Sequence, residues 1–166
     1  MVASSTGTRI EDRLAESGEL VISRVVSAPR ALVYQAWVDP EHFARWFRPS
    51  TSTMPYCRLD ARVGGELHFQ HRHETVDDVW IRGFYDEVVP GERLAFTVYF
   101  SNQAGDRCER PGFPREMRIV VDLAEVAGGT RITVRQYGLE VDQGEVQGWR
   151  ESLDQLAEIL ESDAIA

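Results

Sequence analysis

Between residues 66 and 137 the chain keeps one hydrophobic period, and that period is two. "ELHFQHRH" (66–73), "DVWIRGFYDEVV" (78–89), "ERLAFTVYF" (92–100), "REMRIVVDLAEV" (115–126) and "TRITVRQY" (130–137) follow one another with no helical stretch between them. Alternation of this kind puts successive side chains on opposite faces of a strand. Gly64-Gly65, Pro90-Gly91 and Gly128-Gly129 punctuate the run, and such dipeptides mark tight turns. Strands in series joined by tight turns build an antiparallel meander, with one face covered and the other in water. Residues 54–63 read as a further strand of the series, and 101–114 as a long polar loop.

The flanks supply the cover. Residues 19–26, "ELVISRVV", read as a strand. Leu32, Val33, Ala36 and Trp37 then recur at helical spacing behind Pro29. Asp39-Pro40 breaks that pattern, and Asp39 can cap a second short helix that runs through Phe47. Residues 141–162 carry Val146, Trp149, Leu153, Leu156 and Leu160 on one helical stripe. This predicts an α+β fold: a curved sheet around one long helix, with two short helices after the first strand. The expected domain is 19–162, after a polar leader at 1–18 and before a short tail at 163–166.

Such a fold implies a gap. Leu67 and Phe69, with Leu94, Phe96 and Val98 on a neighbouring strand, face the interior. Large side chains on a concave sheet cannot all reach a single helix stripe, so a ligand-sized cavity is expected there. Trp149, near the start of the covering helix, is expected on its wall, and Trp37 in the plain core.

Composition removes several alternatives. The net charge of −9 disfavours nucleic acid and anionic membrane surfaces as partners. All 18 basic residues are arginine, so no lysine Schiff base is available. Cys57 and Cys108 have no zinc-ligand spacing and read as free, inert thiols. No apolar run approaches the ~20 residues of a membrane-spanning helix, and the first residues lack a signal-peptide core. A cytoplasmic protein is expected. Neither a phosphate loop nor a nucleophile elbow occurs, and no cofactor is expected.

Three of the four histidines fall in "HFQHRHE" (68–74). By strand parity His71 and His73 continue the inward line of Leu67 and Phe69, while His68, Gln70 and Arg72 point to water. Two imidazoles do not complete a metal site, so no metal is expected. They read either as partly solvated residues near the sheet end or as the polar end of the cavity.

Four stretches together resemble a known family. "APRALVYQAWVDPEHFARWF" carries an Asp-Pro-Glu and the pair Trp46-Phe47. "DARVGGELHF" is an acidic Gly-Gly hairpin. "GFYDEVVPGERLAFT" and the terminal "GWRESLDQLAEIL" complete the set. They resemble the SRPBCC, or START-related, superfamily, and within it the branch named after the activator of the heat-shock-protein-90 ATPase. Arg48 stands where that branch often has Gly, and His68-Phe69 where it often has Trp or another aromatic. The resemblance implies a helix-grip (START/Bet v-like) fold and spans residues 19–161. Fold alone does not fix function.

The leading expectation is non-catalytic binding of a small apolar or amphipathic molecule, with Trp46, Phe69, His71, His73, Phe96, Val98 and Trp149 as ligand-binding residues. One alternative is a polyketide aromatase/cyclase-like enzyme in which His71, His73 or Tyr99 moves protons. Another is a cochaperone-like module of a stress response, with a chaperone as partner. A homodimer is compatible with either.

Overall fold

A computed structural model describes residues 10–14, 19–138 and 143–163. Its elements run β1 (Ile10–Leu14), β2 (Leu20–Val26), α1 (Arg30–Val38), α2 (Pro40–Trp46), β3 (Ser52–Thr53), β4 (Cys57–Leu59), β5 (Glu66–His73), β6 (Val79–Val89), β7 (Arg93–Ser101), β8 (Met117–Val126), β9 (Gly129–Tyr137) and α3 (Gln143–Asp163). Among the described residues these strands form one antiparallel sheet in the order β1-β2-β9-β8-β7-β6-β5-β3, with β4 also on β5. From β5 to β9 sequence neighbours are sheet neighbours, as the turn signals require. β2 closes the sheet from the other end by pairing with β9.

The concave face packs on α3. Leu153 and Leu156 are fully buried, with Val146, Ala157 and Leu160 close behind. α1 buries Val33, Ala36 and Trp37, while Leu32 faces solvent. The carboxylate of Asp39 caps α2 by accepting from the Glu41 N–H, and Pro40 takes the first helical position, where it has no bond to lose. One side chain ties α2 to α3: Gln155 Nε2 donates to the carbonyls of Trp46 at 3.1 Å and Arg48 at 2.9 Å. On the other side, Arg24 of β2 pairs with Asp154 of α3.

Two expectations change. Residues 10–14, read as part of the leader, form a strand paired to β2 along its length. Residues 54–63 do not form one strand. Pro55 has no N–H to give a ladder, and from Asp60 the backbone turns, with Gly65 N donating to Arg62 O and Gly64 at φ +82°. Only Cys57–Leu59 is left to pair with β5. The helix expected from 141 starts, within the described residues, at Gln143; positions 139–142 lie outside them.

The outer face is also not simply wet. His68 and Gln70 are 6% and 4% exposed, against the parity expectation that they point to water. Parity does put them on the convex side, but two segments fold over it there. The His68 ring clusters with Tyr56 and Trp80, with centroids 5.5 and 5.2 Å away, and its Nε2 lies 3.4 Å from Asn102 O. The Gln70 amide donates to Asp78. The loop after β7 extends the cover. Arg82 bonds Glu66, Tyr99 and Gly105, and the Arg107 guanidinium lies 4.0 Å above the Tyr99 ring.

A lined cavity between sheet and helix

A cavity of about 480 Å³ lies between the concave face and α3. Each of five strands contributes its inward residues: Phe69, His71 and His73 from β5; Val79 and Ile81 from β6; Phe96, Val98 and Phe100 from β7; Met117 and Ile119 from β8; Gln136 from β9. The opposite wall is the start of α3, including Trp149 and Ser152, and one flank is Phe47-Arg48-Pro49 just beyond α2. Arg110 and Phe113, both exposed, come from the loop between β7 and β8.

Two polar contacts fix the wall. Trp149 Nε1 donates to Gln136 Oε1 at 2.6 Å, where both side chains are buried. That bond locks the indole, which also packs edge-on to Phe47 at 5.4 Å and against Trp37 at 6.4 Å. The second contact joins His71 Nε2 and Phe47 O at 2.9 Å. A carbonyl only accepts, so Nε2 carries the proton and Nδ1 is left as an acceptor. Burial lowers the His71 pKa to about 4, and His73 and Arg48 nearby add to this against the pull of the Phe47 carbonyl. His71 is therefore neutral at pH 7.

Of the seven residues expected to contact a ligand, the structure brings Phe69, His71, His73, Phe96, Val98 and Trp149 onto one cavity. Trp46 is elsewhere. It is fully buried, with Nε1 donating to Ala36 O at 2.9 Å, so it welds α2 to α1 in the core. Its neighbour Phe47 lines the cavity instead, because the chain leaves the helix there and turns the next ring inward. Tyr99, weighed as a proton carrier, has outward parity and lies under Arg107 on the convex side. Phe47, Arg48, Arg110, Phe113 and Gln136 were missed. Arg110 and Phe113 lie in a loop and Gln136 in a strand that read as plain alternation, while Phe47 and Arg48 stood out in sequence only through the family resemblance.

Chemically, these walls can hold an apolar body and offer a few fixed polar groups. Among the described residues no three His, Cys, Asp or Glu side chains converge as a metal site. Cys57 is free, and its thiol is pushed up to about 12 by burial, with Asp39 adding to the shift, so it is no thiolate at neutral pH.

A family model described as Activator of Hsp90 ATPase homolog 1-like protein matches residues 27–161. The chain belongs to that family. Solved structures of other members of this fold are similar to the chain. A protein from Chromobacterium violaceum is 30% identical, with a TM-score of 0.75 over 87% of this chain and 97% of its own. A protein from Nitrosomonas europaea is 24% identical at TM-score 0.75, over 92% and 99%. One from Arthrobacter aurescens is 19% identical at TM-score 0.79, over 95% and 93%. The last two speak for the fold alone. No curated protein matches the chain. No helix among the described residues is long and apolar enough to cross a membrane.

Proposed function

We propose that this member of the family binds a small apolar or amphipathic molecule in the cavity between sheet and α3, without chemical change to it. The observation that carries the reading is the gap of about 480 Å³ walled by Phe47, Phe69, Phe96, Phe100, Ile119 and Trp149. Pockets of roughly 300–1,000 Å³ with mostly apolar walls and a few convergent polar groups suit small ligands. The polar groups here are held rather than loose: Gln136 is engaged by Trp149, and His71 by the Phe47 carbonyl. The free thiols at Cys57 and Cys108 suit a reducing cytoplasm.

The test is binding of a neutral apolar fluorophore such as N-phenyl-1-naphthylamine, read by its emission and by the change in tryptophan fluorescence. Native mass spectrometry of freshly purified protein looks for a co-purified molecule in parallel. One saturable site is the expected result. Fluorophore emission no higher than with an unfolded control, and no retained small molecule, would end the reading. The family description favours a second reading, a cochaperone-like module acting in a stress response with an Hsp90-type partner. It requires that the purified chain bind that chaperone and raise its ATP turnover.

A further inference from the structure

The cavity has a charge signature that its apolar walls do not explain. In a chain with 27 acidic and 18 basic residues, arginines generally find carboxylates: Arg24 has Asp154, Arg82 has Glu66, and Arg93 has Asp122 and Glu87. Two arginines on the cavity wall, Arg48 and Arg110, have no carboxylate partner among the described residues. Arg48 is half-buried, and its guanidinium is aimed by three backbone carbonyls. Nε donates to Ala44 O at 3.3 Å, and Nη1 to Pro49 O at 3.3 Å and Ser52 O at 2.5 Å. Carbonyl partners fix its direction without neutralising its charge, and Nη2 keeps both its protons. Arg110 lies over Phe100 and Phe113, 5.1 and 5.6 Å from their centroids. Ring faces likewise hold a guanidinium in place and leave its charge unpaired.

The acid on the same wall is turned to a neutral partner, which directs it but leaves its charge in place. Glu151 Oε1 accepts from the Ser50 hydroxyl at 3.0 Å and from the Ser50 N–H at 3.5 Å. His71 is an unsuitable anion anchor, because the one ring nitrogen not bonded to Phe47 is an acceptor.

We propose that the cavity is selective for an organic anion, an amphiphile whose apolar body lies among the aromatic walls and whose carboxylate meets Arg48 and Arg110. This rests on the ligand-binding reading above and adds the head group to it. Guanidinium and carboxylate pair through charge-assisted bonds, and an anion there would supply the partner that the protein withholds.

The test uses decanoate, decan-1-ol and decylammonium at pH 7, each displacing N-phenyl-1-naphthylamine from the unmodified protein. Decanoate should bind at least about tenfold more tightly than decan-1-ol, as expected for a hydrogen-bonded ion pair, and decylammonium should bind most weakly. Arg110→Gln, in an exposed loop, should lower decanoate affinity about fivefold or more and leave decan-1-ol within about twofold. Equal affinities for acid and alcohol, or equal losses for both in Arg110→Gln, would overturn the anion preference while the cavity reading stood. If the fluorophore and all three decyl compounds fail to bind, the cavity reading itself falls, and this inference with it.

Discussion

At the scale of single residues, the cavity depends on two hydrogen bonds whose loss has different signatures. Trp149→Phe keeps most of the ring but strands the buried Gln136 oxygen. A loss of about 1–3 kcal/mol is expected in urea unfolding. His71 couples the site to pH. Burial holds its pKa near 4, below its ordinary 6.5. Between those values the unfolded chain binds a proton that the folded chain refuses, so this group's contribution falls as pH falls from 6.5 towards 4. Above 6.5 both states hold a neutral ring and the contribution is flat. The full effect is up to about 3 kcal/mol. It is measured as the difference in acid sensitivity between the native chain and His71→Gln, which should be the less sensitive. The inward parity of His71 was legible from alternation. Its tautomer was not, since the Phe47 carbonyl comes from 24 positions away.

At the scale of elements, the strands from 66 onward could be read because period and turn chemistry agreed at every step. What could not be read was whatever a distant loop decided. His68 and Gln70 have the parity of solvated residues and the burial of core ones, because Tyr56, Trp80 and the 101–108 segment close over them. Likewise Arg110 and Phe113 sit in a stretch with the composition of an ordinary polar loop, and only its path places them on the cavity. Gly83, inside β6, marks one packing demand of this kind. A Cβ there would stand 2.1 Å from Thr97 O and 2.7 Å from a Val98 methyl, so β6 and β7 can approach only without it. Gly83→Ala should cost at least about 1–3 kcal/mol, seen as a lowered urea midpoint. It should also weaken fluorophore binding, since Val98 is on the cavity wall.

At the scale of the molecule, the cavity is walled by side chains of the core itself, Phe69, Phe96, Val98 and Trp149 among them, and the gap between them is room that a larger side chain can take. Val98→Trp puts a larger side chain into existing space, so it should block the fluorophore while thermal unfolding stays cooperative and Tm shifts by no more than a few degrees. A full loss of cooperative unfolding would show that the space is not available to a side chain. Sequence alone indicated that a sheet this curved and one helix would not fill each other. It did not indicate that Trp46, near the end of the first family-like stretch, would be consumed by the core.

The order of strands also sets a timetable for synthesis. β2 is made early, yet its ladder with β9 joins Leu20 to Gln136 and Val26 to Thr130, and Thr130 Oγ1 reaches back 102 positions to Ala28 O. No ribosome-bound intermediate that stops short of β9 can complete the sheet, and until α3 follows, the concave face has no lid. Contacts so distant in sequence are slow to form, and exposed apolar surface is prone to aggregate meanwhile. The nascent chain must therefore carry its greasy face uncovered through most of its own translation.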